Sequence, residues 1–157
     1  MCLMLLCSLL VSPQTDEQKQ LNQIVIDFTK KFYVAYENGD VDALLPMTVV
    51  PWYHDGQSIV RSQDALRVEL KKFIDQRDTT RGKRVPDVKL VAGLAAMKGR
   101  MDSKDREMLQ QVAQDDDYVV LVMLKPVDTS NKKIENVVLL VRRTGGKAIA
   151  IGVKHSH

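Results

Sequence analysis

The chain of 157 residues is 45% hydrophobic and 27% charged, carries a formal net charge of +3, and holds 8 Gly, 5 Pro and 2 Cys. Those proportions suit one globular domain and exclude a disordered tail, a collagen-like rod and a coiled coil. No uncharged apolar run reaches the roughly 18 residues a membrane span needs, and a core of this size needs neither a metal nor a disulfide.

Residues 1–15, MCLMLLCSLLVSPQT, contain no charged side chain, and the apolar stretch from Leu3 to Val11 has the length of a signal-peptide core. The expectation is a signal segment over 1–15 and a single domain over 16–157, exported to the periplasm or outside the cell; the alternative is a cytoplasmic chain that keeps its first residues. Cys2 and Cys7 both lie in that segment, so a processed chain has no thiol, and catalytic cysteine and Cys-ligated zinc drop out.

From Thr15 the chain reads as a helix start, with Gln18 completing a capping box. Leu21, Ile24, Val25, Phe28, Phe32 and Ala35 then make one apolar stripe, and Gly39 supplies the stop. Asp40 caps a short second helix, Val41 to Leu45, closed by Pro46. Two short runs flank Asp55-Gly56, the signature of a tight hairpin. Ser62 opens a third helix through Gln76, with Leu66, Leu70, Phe73 and Ile74 on one side. Strands are predicted over 88–94, 118–125, 135–143 and 147–154, the last pair turned by Gly145-Gly146. In the final strand, alternation places Ile149, Ile151 and Val153 on one face and Ala148, Ala150 and Gly152 on the other. Between the first two of these strands, Asp102 or Ser103 caps a further helix containing Met108, Leu109 and Val112.

Charge is uneven along the chain. Residues 16–60 carry 3 Lys or Arg against 7 Asp or Glu, residues 61–112 carry 13 against 8, and residues 113–157 carry 7 against 5. The basic excess around Arg77, Arg81, Lys83 and Arg84 is interrupted by Asp75, Asp78 and Asp87 and has no interleaved aromatics, so it reads as a solvated loop and no nucleic-acid partner is expected.

Three helices with an embedded hairpin and a terminal run of strands make an α+β order. The stretch Phe32 to Phe73, with Tyr36-Glu37-Asn38-Gly39-Asp40-Val41-Asp42-Ala43-Leu44, then Asp55-Gly56, then the helix from Ser62, resembles the nuclear-transport-factor-2-like superfamily, which includes SnoaL-like cyclases and ketosteroid isomerases. The resemblance implies a strongly curved, mostly antiparallel sheet wrapped as a cone around the three N-terminal helices, often with a pocket and often dimeric. It also implies, for an isomerase, a tyrosine on the first helix and an aspartate on the hairpin strand; Phe32 and Trp52 stand at those places, so isomerase chemistry of that kind is not expected.

Trp52 and His54 share one face of their strand, and Pro51 and Tyr53 the other. Tyr33, Tyr36, Trp52, Tyr53, His54 and Arg142 are the candidate ligand-binding residues, Arg142 as a guanidinium for an anion. His54 suits proton transfer, with Tyr33 or Tyr36 as hydroxyl partner. Asp55, in the predicted turn, is expected to be solvated. His155 and His157 are assigned to a loose tail, and no metal or cofactor is expected. Met97, Met101 and Met108 fit core filling or a flexible cover for the mouth of a cone.

These features lead to a non-catalytic domain that binds a small apolar or amphipathic molecule, or a protein partner, in a pocket lined by Trp52, Tyr36 and the last strands. One alternative is a SnoaL-like cyclase, dehydratase or hydrolase using His54 or Asp55 with Tyr36, for which histidine, carboxylate and phenol must converge. Another is a homodimeric assembly module pairing through an exposed sheet face.

Overall fold

The computed structural model describes residues 15–77, 82–128 and 134–156. Residues 1–14 of the expected signal segment over 1–15, and Asp78, Arg81 and His157, lie outside the described residues.

Helix α1 (Asp16–Glu37) starts where predicted: the Thr15 hydroxyl accepts the Gln18 amide at 3.2 Å. The Gln18 side chain does not close the capping box, because it donates forward to Asn22 at 3.1 Å. Gly39, at φ +71°, ends the helix in the left-handed region, and the Asp40 amide returns to the Ala35 carbonyl at 3.1 Å. Asp40 caps α2 (Val41–Leu44) through the Ala43 amide at 2.9 Å, and Ser62 caps α3 (Gln63–Asp75) through the Ala65 amide at 3.3 Å. The hairpin of β1 (Thr48–His54) and β2 (Ser58–Val60) turns on Asp55 and Gly56, both at positive φ.

Strand β3 (Arg84–Gly93) is longer than predicted, since Pro86 is tolerated at the edge of a sheet. The stretch that follows folds as α4 (Leu94–Met97), a single 3₁₀ turn and α5 (Ser103–Leu109), the last capped by Asp102. Strands β4 (Tyr118–Pro126), β5 (Glu135–Thr144) and β6 (Lys147–Ser156) complete a curved, unclosed six-stranded sheet in the order β2-β1-β6-β5-β4-β3. Among the described residues only β1 and β6 run parallel, and every other pair is antiparallel. The α+β expectation holds.

One face of the sheet packs on α1 and α3. Val25, Phe32 and Ala35 of the predicted stripe are buried there, while Phe28 is only half-buried. The opposite face carries a second apolar cluster, in which Leu94, Leu109 and Val112 cover Tyr53, Val119, Leu140 and Ile151. The segment between β3 and β4 is therefore a lid on the outer face, covering sheet surface that the assembly-module reading would leave bare. Met97, Met101 and Met108 pack in this outer cluster.

The alternation expected in β6 is broken. Leu140 stands opposite Gly152 but Val141 opposite Ala150, so Ile151 is an extra residue, a bulge. Past it the faces exchange: Val153 joins the inner core with Ala150, while Gly152 faces outward. A Cβ on Gly152 would stand 2.7 Å from both the Cβ and the carbonyl oxygen of Tyr53, so the absence of a side chain lets β1 and β6 approach.

Candidate functional site

Trp52, Tyr33 and Tyr36, expected to line a hollow, are buried in the inner core, packed ring against ring. Trp52 stacks on Phe32 at 6.5 Å, Tyr33 meets Tyr36 edge to face at 5.9 Å, and Tyr36 lies 4.4 Å from Phe73. Burial drives the Tyr33 and Tyr36 hydroxyls toward the neutral form, that of Tyr36 to a pKa of about 12, with Glu135 pushing the same way and Arg84 opposing it at Tyr36. The Tyr33 hydroxyl and Trp52 Nε1 are fully enclosed without a hydrogen-bond partner.

Where α1 ends, ionisable side chains from six elements meet. Arg84 of β3 is buried and joins Glu37 of α1 at 2.7 Å to Glu135 of β5. The other carboxylate oxygen of Glu135 lies 3.8 Å from Nε2 of His155, and Nδ1 of the same ring lies 3.4 Å from Asp55. Asp55 also accepts the His155 amide at 2.8 Å. The His155 ring sits 5.3 Å from Phe73 of α3, which His54 meets edge-on at 6.5 Å on its way to Glu69, 3.9 Å away. Burial holds His54 below the usual histidine value against the attraction of Glu69 and Asp55.

Two expectations are corrected here. His155 is not on a loose tail, because β6 continues to Ser156 and, beyond the bulge, carries the imidazole on the inner face. Asp55 is not a solvated turn residue, since its carboxylate folds back onto β6 and its side chain is 14% exposed. His54, Asp55 and Tyr36 are thus brought into one neighbourhood, with His155 and Glu135 at its centre. Tyr53 and Arg142 are placed elsewhere, on the outer face. Arg142 grips the buried Asp117 through two nitrogens, at 3.0 and 2.7 Å, and donates to the Val112 carbonyl at 2.9 Å, which ties the lid to β5. Tyr53 donates to Asp105 at 2.7 Å. The basic run is likewise absorbed: Arg77 donates to the Tyr36 carbonyl at the end of α1, and Arg84 is in the buried network.

Among the described residues no three His, Cys, Asp or Glu side chains are placed to hold a metal ion, and no helix is long and apolar enough to cross a membrane. The arrangement that remains is an imidazole between two carboxylates, beside a phenol and an arginine. Side-chain exposures of 13–25% for His54, Asp55, Glu69, Glu135 and His155 leave these groups in partial contact with solvent.

No protein-family model matches the chain, and no curated protein does. Solved structures do. A protein of unknown function with a cystatin-like fold from Nostoc punctiforme is similar at a TM-score of 0.53 and 14% identity, over 90% of this chain and 91% of that one. An NTF-2-like protein of unknown function from Shewanella oneidensis aligns at 0.52 and 13%, over 87% and 99%. The chain has the NTF2-like fold. ActVI-ORFA from Streptomyces coelicolor shares that fold at 0.51 and 12%, over 87% of this chain and 95% of its own. At these identities the likeness fixes NTF2-like architecture alone, and the chemistry rests on the side chains.

Proposed function

We propose that the protein binds a small amphipathic molecule where α1 ends and moves a proton on it, in the manner of a SnoaL-like enzyme. The observation that carries this is His155 set between Asp55 and Glu135. A carboxylate at Nδ1 fixes the ring orientation and the tautomer, and directs Nε2 toward Glu135 as the basic nitrogen. The 3.8 Å between Nε2 and Glu135 is too long for a direct hydrogen bond, and a substrate hydroxyl or enolisable carbon fits as the third party. His155 takes the proton and returns it to another atom of the same molecule, so the step is balanced without a co-reactant. Phe73 supplies an apolar wall, and Arg84, held by its two carboxylates, fixes Glu135 in place. In this reading the base is His155 in place of His54 or Asp55, with Asp55 as the residue that positions it and Tyr36 buried behind them.

Deuterium exchange into the α-carbon of cyclohexanone in D2O, followed by NMR, tests the reading. Exchange above the buffer rate is expected from the intact chain. His155→Ala should reduce it by about a hundredfold, the usual contribution of a general base, and Asp55→Asn should lower the rate while leaving probe binding unchanged. Binding of the ketone without exchange would reduce the site to the non-catalytic ligand pocket. Export is part of the proposal: a native protein whose mass lacks the apolar leader is expected, and an intact leader would assign the protein to the cytoplasm.

A further inference from the structure

We infer that the cavity beneath the outer-face lid is a second site, which binds a small monocarboxylate with an apolar body. The cavity holds about 280 Å³, at the lower end of ligand-pocket sizes, which suits an occupant of roughly ten non-hydrogen atoms. Its roof is Met97 and Met101 and its floor is Val119, Val138 and Leu140. Flexible thioethers over branched aliphatic side chains adapt to a chain or ring of no particular outline.

The mouth determines the headgroup. It is formed by Arg100, Asp102, Asp105 and Lys154, so its formal charges cancel, but its hydrogen-bonding capacity does not. Asp105 is buried, and each of its oxygens is taken, one by the Tyr53 hydroxyl at 2.7 Å and the other by the Lys154 ammonium. Asp102 is engaged as the cap of α5, accepting the Asp105 amide at 2.8 Å. Arg100 is exposed and has no hydrogen-bond or ion-pair partner among the described residues, and Lys154 keeps two of its three N–H donors. Donors therefore outnumber acceptors at the mouth: the Arg100 guanidinium and two Lys154 N–H groups stand open against the second carboxylate oxygen of Asp102. A carboxylate satisfies the Arg100 guanidinium bidentately, whereas an amine finds only the one open oxygen of Asp102 and an alcohol is held by the apolar walls. None of these groups belongs to the cluster around His155, which lies on the opposite face of the sheet, so this inference stands apart from the proposed proton transfer.

Octanoate, a ten-heavy-atom monocarboxylate, is the probe. Titrated into the full chain and followed by two-dimensional amide NMR, it should shift residues 97–109 and the neighbourhood of Leu140 saturably at millimolar concentration, whereas octylamine should not. Arg100→Glu, at an exposed position that leaves the fold intact, should weaken octanoate by about tenfold, the loss expected of a charge-assisted hydrogen bond, and leave 1-octanol unchanged. Val138→Phe, which fills the floor, should abolish binding of both. Absence of saturation, shifts centred on His155, equal binding of octylamine, or an Arg100→Glu chain that binds octanoate as before would each overturn the assignment.

Discussion

Arg84 shows how a single residue can be costly and still indispensable. Its side chain is 1% exposed, and desolvating a guanidinium is unfavourable unless carboxylates surround it. Glu37 and Glu135 do so, and by this they fasten the end of α1 to β3 and β5 at the place where His155 stands. The aromatic residues behind the network carry the packing energy. Phe32 is fully buried between Phe28, Tyr33 and Trp52, whereas Phe28 lies half-exposed at the margin. Phe32→Ala should therefore cost about 3–5 kcal/mol, as large-to-small changes in a packed core do, and Phe28→Ala clearly less, although periodicity places the two on the same stripe. Urea denaturation of both variants measures the difference, and equal losses would mean that the stripe is uniformly core.

At the scale of elements, the helices were legible because a cap, a period and a stop each leave a local mark: Thr15, Asp40 and Ser62 all cap as read. Both tight turns were legible for the same reason, Asp55-Gly56 and Gly145-Gly146 being held at positive φ. What was not legible is register. A bulge is a property of two strands, and nothing in the run Ala148 to Lys154 announces that Ile151 is unmatched. Every residue past it changes face, so the placement of His155 beside Asp55, and with it the centre of the candidate site, could not be counted out from β6 alone. The outer position of Arg142 was hidden likewise, since its partner Asp117 sits 25 residues away at the end of the lid. Beside the bulge, the close approach of β1 to β6 relies on the missing side chain of Gly152. Replacing it by Ala puts a methyl group against Tyr53 in both backbone and side chain and against Leu140 at 3.1 Å. We expect a loss of about 1–3 kcal/mol from overpacking, with the β1–β6 pairing the first to loosen. Amide hydrogen exchange at Tyr53 and Val153 faster than in the intact chain is the corresponding signature, and unchanged protection would show that the approach of the strands tolerates a side chain.

For the whole molecule, a two-sided sheet concentrates its titratable groups in two buried regions, and stability should narrow from both ends of the pH scale. On the acid side His54 is held below its ordinary value of 6.5 by burial. The unfolded chain therefore binds a proton at a higher pH than the folded one. The stability this contributes is complete above about pH 6.5 and is lost as pH falls below it, with a slope of at most about 1.4 kcal/mol per pH unit for one proton. On the alkaline side the sign is reversed. Tyr36 is raised from 10.0 to about 12, and Tyr33 and Tyr53 are raised as well, all chiefly by burial. The folded chain keeps phenolic protons that the unfolded chain has given up, so stability declines as pH rises from about 10. Guanidinium midpoints between pH 5 and 11 should trace a plateau with two falling limbs, and His54→Phe should flatten the acid limb above pH 5 while leaving the alkaline one in place. Tyrosinate absorbance adds an independent reading, because the three buried phenols should ionise only with unfolding, and early ionisation at the ordinary value would place them in solvent.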